Sequence, residues 1–456
     1  MAVKDRSQES SLLIASSSEV RSMARRGGML PMSDPRATTG EASRLALVSW
    51  CLYDWANSAF PTIVTTFVFS VYFTRAVADN PVDGAVRWSH SVIAAAVIVV
   101  LGAPALGAIA DGLGRRKPWL LSFTVLSVVG TLALWLVKPS PSYVLTGQVL
   151  YAAAATFFGF AIVFYDAMLR SIAPPGYIGR MSGWGWALGY AGGLASLVIA
   201  LIGLVNADPP PFGLARESYE HVRATNILAA VWFGIFAIPL FLFTPDRPPA
   251  GRTVRDAVQT GLHSLLITMR QLLANPAIAR FLLAHMFYTN GLNTLFAFGG
   301  IYAAGTFQMS FSEVLTFGIA LNITAGVGAA GFAWVDDLIG SKKTVLIALS
   351  ALSALGLALV LVQAKPVFFG LGCLLGVFVG PAQAAGRALM ARLAPKELET
   401  EAFGLYELAG KVTVFVGPLL LGLATDLFRS QRAGMSTILL FFAAGIIVIL
   451  PLREPR

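Results

Sequence analysis

At 456 residues, 56% hydrophobic and only 12% charged, with a mean hydropathy of +0.71, the chain is far too apolar for a water-soluble protein of two or three domains. Its formal net charge of +9 does not imply nucleic acid, because 24 of the 33 Lys and Arg fall where the cytoplasmic flanks of membrane spans would lie; the charge is a topology signal and a contact for anionic lipid. Cys51 and Cys373 sit in apolar segments and exclude a disulfide framework, while His90, His221, His263 and His285 share no ligand spacing, so no metal, cofactor or enzyme site is expected.

In chain order, residues 1–45 mix both charge signs with Ser, Gly and Pro, lack the apolar core of a signal peptide, and are read as a disordered cytoplasmic tail. Apolar runs near 46–74, 90–110, 118–137, 142–168, 182–205 and 224–244 follow. Each reaches the roughly 20 residues that a bilayer crossing needs. The polar linker 245–277 carries Val254, Val258, Leu262, Leu265, Leu266, Met269, Leu272 and Leu273 at helical spacing behind a Thr253–Asp256 capping box, which predicts an amphipathic helix on the inner leaflet. Six further runs lie near 278–304, 313–335, 344–363, 366–391, 402–424 and 434–452, before a short tail, 453–456. The fold class expected is an all-α polytopic membrane protein of twelve transmembrane helices, with both termini cytoplasmic.

The two sets of six repeat one another. "YDWANSAF" from Tyr53 matches "TNGLNTLF" from Thr289, placing Asp54, Asn57, Ser58 and Phe60 opposite Asn290, Asn293, Thr294 and Phe296. "DGLGRRK" from Asp111 matches "DLIGSKK" from Asp337, and the "AP" after the fourth run precedes Gly183 and Gly189 at the spacing with which its counterpart precedes Gly404 and Gly410. Residues 46–244 and 278–452 are therefore two six-helix pseudo-repeats, a plan that suits a transporter rocking one half against the other around a midplane site.

"GAIADGLGRRK" at 107–117 resembles the loop signature of the major facilitator superfamily. More narrowly, "LYDWANSAF", "GWGWALGYAGG", "NGLNTLFAFGGIYAAGTF" and "FGLYELAGKVTVFVGPLLLG" resemble the branch of autophagy-related vacuolar amino-acid effluxers and their bacterial relatives. The resemblance implies the major facilitator fold, amino-acid efflux by alternating access, and a bacterial inner-membrane location. It also implies a conformational lock between the halves at Asp111, Gly114, Arg115 and Arg116 with the repeat mates Asp337 and Gly340. Asp111 is expected to accept hydrogen bonds from the start of the eleventh helix near Gly404, where unpaired N–H groups and the positive dipole end are available.

Ionisable groups inside spans cost about 2.5–3.5 kcal/mol each on insertion scales and are expected to face a cavity or a partner. Six stand out as candidates for proton coupling: Asp54, Asp166, Arg170, Arg387, Glu407 and Lys411. Asp166–Arg170 and Glu407–Lys411 are each spaced i, i+4 for an intrahelical pair, which leaves Asp54 and Arg387 without a local partner. Asp54 is read as a structural ion pair with an arginine of another helix or as a titratable carboxylate that couples transport to the proton. Asn57, Ser58, Tyr165, Tyr288, Asn290, Asn293, Gln383 and Tyr406 are the candidate substrate groups, and an acid and a base with amide donors suit a zwitterion. Sugars would use the amides with Trp184 or Trp186, and a non-transporting sensor of the same fold is the remaining alternative. The expected partners are a small solute and the lipid bilayer, with no nucleic acid and no obligate protein.

Overall fold

Serine and asparagine caps begin several of the long helices that build this protein: Ser43 accepts from the Ala46 amide, Asn275 from Ala277, and Ser310 forms a reciprocal capping box with Glu313. The computed structural model describes residues 43–251, 253, 256 and 267–454. In chain order the helices are α1 (Arg44–Val77), α2 (Asp83–Leu113), α3 (Lys117–Leu136), α4 (Pro141–Ile172), α5 (Ile178–Val205) and α6 (Glu220–Phe243), then α7 (Pro276–Phe307), α8 (Phe311–Ile339), α9 (Ser341–Leu361), α10 (Lys365–Leu393), α11 (Lys396–Phe428) and α12 (Gln431–Ile449). Among the described residues eleven helices are long and apolar enough to cross a membrane. The twelfth, α7, has the length at 32 residues, but His285, Thr289, Asn290 and Asn293 dilute its apolarity.

Several helices are less regular than the apolar runs suggest, α1, α4 and α11 among them. Beyond Asn57, α1 continues through two π-helical stretches, Phe60–Phe67 and Phe73–Val77; Pro61 has no N–H to give, and Val68 donates five residues back to Ile63 at 3.0 Å. The α-helical part of α4 ends at Ala167, where the Met168 amide turns back to the Tyr165 carbonyl, and resumes at Leu169. In α11 the chain turns between Lys411 and Val416, and the Asn290 side chain bridges the gap by donating to Thr413 and accepting from the Gly417 amide at 3.1 Å.

Contacts between the α1–α6 set and the α7–α12 set run mainly along α2 with α11 and α5 with α8. These pairs are repeat mates. Glycines permit the approach: a Cβ at Gly404 would stand 3.0 Å from the Ala103 carbonyl carbon, and one at Gly183 would stand 2.7 Å from the Ala329 oxygen. In the linker, Thr253 receives the Asp256 amide at 3.2 Å as the capping box requires, and Leu272 is buried. Val254, Val258, Leu262, Leu265, Leu266 and the tail to residue 42 lie outside the described residues.

Asp208 and Thr253 lie in exposed connections at opposite ends of α6. Single cysteines at these positions, in a protein lacking Cys51 and Cys373, are expected to react with an impermeant maleimide from opposite sides of the membrane, Thr253 from the cytoplasm. Labelling from one side would overturn the topology.

Candidate functional site

Deep between the two sets of helices, Arg387 of α10 is 3% exposed, and a cation so placed needs charge and hydrogen-bond partners. Its Nη2 donates to Asp54 Oδ2 at 3.0 Å, its Nη1 to Asp166 Oδ1 at 3.2 Å, its Nε to Ser182 Oγ at 3.0 Å and its Nη2 again to the Ser182 carbonyl at 2.8 Å. The guanidinium also stands 5.1 Å from the Trp50 ring centre and 5.7 Å from those of Tyr165 and Trp186. One cation on α10 thus ties together α1, α4 and α5. Room for it comes from Gly185, where a Cβ would stand 2.3 Å from Asp54 Oδ2 and 2.7 Å from Arg387 Nη2.

This arrangement corrects the expected Asp166–Arg170 pair. The break at Met168 removes regular i, i+4 geometry, so Asp166 turns to Arg387 while Arg170 reaches Glu399 at 3.8 Å and the carbonyls of Ala391 and Ala394. Glu407 and Lys411 do pair within their helix, at 2.5 Å. Asp166 lies seven residues before Ala173 and Arg387 seven before Ala394, so the ion pair joins repeat mates.

Nearer the face that carries Ser43 and Glu454, two matching locks close the space between the sets. Asp111 Oδ2 accepts from the backbone amides of Thr400 (2.8 Å) and Glu401 (3.2 Å), and its Oδ1 accepts from Thr400 Oγ1 and Arg116. Asp337 accepts from the amides of Gly179 (2.8 Å) and Arg180 (3.1 Å). Gly179 and Arg180 stand six and seven residues after Ala173, as Thr400 and Glu401 do after Ala394. The start of α11 is therefore held four residues earlier than the expected Gly404. Arg116 is buried and pairs with Asp111 (3.0 Å) and Glu399 (2.9 Å), whereas Arg115, also expected in the lock, is exposed because the backbone turn at Gly114 (φ 85°) points it outward. Gly340 makes the equivalent turn at φ 94°, open to glycine and strained for other residues.

Asp246 and Glu454 were not singled out by sequence, yet each follows the last helix of its set and accepts from the first amides of a third helix: Arg116 and Lys117 for Asp246, Ser341 and Lys342 for Glu454. Their acidic character straight after an apolar run was the available signal. Arg392 binds Asp336, Asp337 and Glu454 together, and Arg247 binds Glu399 at 2.7 Å. Burial, and then the neighbouring Arg116, lowers the Arg247 pKa from its usual value.

Toward the opposite face a cavity of about 520 Å³ opens between the sets. Its walls are largely Phe, Leu and Gly, with Ser58, Thr62, Thr66, Tyr190 and Asn322 supplying polar groups. Trp186 belongs to this lining and stands between the cavity and Arg387.

Of the candidate substrate groups, Ser58 lines the cavity and Gln383 meets its edge by accepting from the Tyr190 hydroxyl at 2.5 Å. Asn57 donates to Asp54 at 3.4 Å, and Tyr165 is sandwiched by Trp50 and Tyr53. Tyr288 and Tyr406 surround His285, the first at 2.9 Å from its Nδ1 and the second stacked with ring centres 3.8 Å apart. Asn290 holds the break in α11, and Asn293 is exposed outside the cavity lining. Thr62, Thr66, Tyr190 and Asn322 escaped sequence reasoning; the glycine face Gly189–Gly193 of α5 was the signal for part of that wall.

Residues 177–456 match the family model described as vacuole effluxer Atg22 like. An uncharacterized MFS-type transporter of Bacillus subtilis, YxiO, is 27% identical over 407 residues, covering 88% of this chain and 93% of that protein. Autophagy-related protein 22 of Cryptococcus neoformans is 24% identical, over 59% of this chain and 49% of its own length, so the chain spans about half of that fungal relative. Among solved structures, the proton:xylose symporter XylE matches with a TM-score of 0.70 at 15% identity, over 90% of this chain and 96% of that one. The human organic anion transporter MFSD10 matches with a TM-score of 0.69 at 17% identity, over 89% and 99%. The chain belongs to the Atg22-like branch of the major facilitator superfamily and is a multi-pass membrane transporter.

Proposed function

We propose that this protein exports a small amphipathic solute, an amino acid with an apolar side chain, by alternating access coupled to the proton, with both termini in the cytoplasm. The observation that carries the reading is the cavity of about 520 Å³, open away from the termini, whose Trp186 floor rests on the Asp54–Arg387–Asp166 cluster that joins the two halves. A largely apolar wall with few hydroxyls and one amide receives an aliphatic or aromatic side chain at little desolvation cost. A sugar would leave several hydroxyls unpaired there. Movement of α10 away from α1 and α4 would part Arg387 from its carboxylates, and a carboxylate left buried without its cation takes up a proton. Solute movement and proton movement are then linked through the same side chains.

The test is Asp54→Asn in reconstituted vesicles with apolar amino acids as solutes. Asn57 and Ser182 remain, and the amide keeps the shape of the carboxyl, so substrate-induced thermal stabilisation and solute exchange should persist. Accumulation driven by a pH gradient should vanish. Gradient-driven accumulation that survives would return Asp54 to a purely structural ion pair.

A further inference from the structure

One acid in the lock nearest the termini has no counter-charge. Glu401, in the first turn of α11, is 4% exposed, and its Oε2 has no hydrogen-bond partner among the described residues. Its own amide donates to Asp111, and the Asp111 charge acts on its carboxyl. The helices are in backbone contact there: a Cβ at Gly107 would stand 2.9 Å from the Glu401 nitrogen.

The surrounding charges are already committed. Arg116, at the start of α3, binds Asp111 and Glu399; Arg170 of α4 and Arg247 of the linker reach Glu399. On α10, Arg387 is held by Asp54 and Asp166, and Arg392 by Asp336 and Asp337. Further along α11, Lys411 pairs with Glu407, and His285 of α7 stacks on Tyr406. Asp111 is the charged group that faces Glu401.

The matching lock shows the contrast. The repeat mate of Glu401 is Arg180, which ion-pairs with Asp337 at 3.2 Å. Equivalent positions thus carry a cation that satisfies one lock aspartate and an acid that crowds the other.

We propose that Glu401 is a proton-operated latch, holding a proton while α2 and α11 are in contact and releasing it when they part, so that the Asp111 lock weakens as pH rises. Protonated, Glu401 is a neutral neighbour of Asp111. Ionised, it is a second buried negative charge with no free cation, and like charges so placed are disfavoured. The sign follows: the state in which the proton is held is favoured at low pH, and rising pH weakens the lock. The latch requires neither substrate nor Asp54, which separates it from the proposed coupling site.

Amide hydrogen exchange on the full chain in lipid nanodiscs, at about pH 6 and about pH 9, tests this. The unmodified protein contains its own control, because the Gly179 and Arg180 amides are held by an aspartate in the same way as those of Thr400 and Glu401. After correction for the base-catalysed rise common to both, protection at Thr400 and Glu401 should fall about tenfold more than at Gly179 and Arg180. Glu401→Gln should abolish that difference, and Asp54→Asn should preserve it. Equal loss at both locks overturns the proposal, as does a difference that survives Glu401→Gln or disappears in Asp54→Asn; the two-lock comparison decides even if the variants do not fold.

Discussion

Arg387→Met is expected to destabilise the protein strongly. The side chain is 3% exposed and binds two carboxylates, so its removal leaves Asp54 and Asp166 buried without a cation. Breaking a buried pair from one side costs about 3–5 kcal/mol. The variant should lose monodispersity in detergent and melt well below the parent. Neutralising the carboxylates as well, with Asp54→Asn and Asp166→Asn, removes the stranded charges, so the triple variant should regain most of the lost melting temperature while remaining unable to use a pH gradient. A triple variant as unstable as Arg387→Met would show that the guanidinium's stacking over Trp50 and Tyr165 and its bonds to Ser182, rather than its pairing with the carboxylates, are what α10 supplies.

Gly185→Ala should abolish transport in a protein that still folds. The added methyl would stand 2.3 Å from Asp54 Oδ2, 2.7 Å from Arg387 Nη2 and 3.3 Å from the Trp50 ring, so the ion pair must move before the side chain fits. Overpacking of this kind costs roughly 1–3 kcal/mol. The functional penalty is larger, because displacing a working group by about 1 Å can cost on the order of a hundredfold in rate. Gly203→Ala is the matched control in the same helix, since nothing lies within 4 Å of its Cβ position. Initial solute flux, normalised to inserted protein, decides between them: the control should keep its flux and Gly185→Ala should lose it, and equal flux would mean that the cluster tolerates displacement.

The fold was largely legible in the sequence because a bilayer imposes a coarse rule, about twenty apolar residues per crossing. The pairing of the halves was legible because loops such as "DGLGRRK" and "DLIGSKK" keep turn glycines that the backbone demands at Gly114 and Gly340. Of the six charged candidates the cluster takes Asp54, Asp166 and Arg387; the bond from Asp54 to an arginine of another helix was among the readings, and that of Asp166 was not. Asp166 and Arg170 were paired on the assumption of an unbroken helix, and nothing in "FYDAMLRS" signals the break at Met168. The cavity was the least legible part. Phe317, Leu375 and Gly376 line it, yet by composition they cannot be told from residues facing lipid. Conspicuous polar groups such as Tyr165, Tyr288 and Asn290 were drawn into helix packing instead, since a buried hydroxyl or amide without a partner is costly.

Asp166 and Arg387 occupy the same position in the two repeats, and they touch each other at 3.2 Å. A position that contacts its own mate lies beside the pseudo-twofold axis. In a dimer of identical halves the same side chain would arrive from both sides, two acids or two bases, and such a pair would repel. The bridge at the centre of this transporter can therefore exist only once the halves differ in sequence. In evolutionary terms it is younger than the duplication, and it requires each half to be inherited with its unlike partner, which joining them in one chain guarantees.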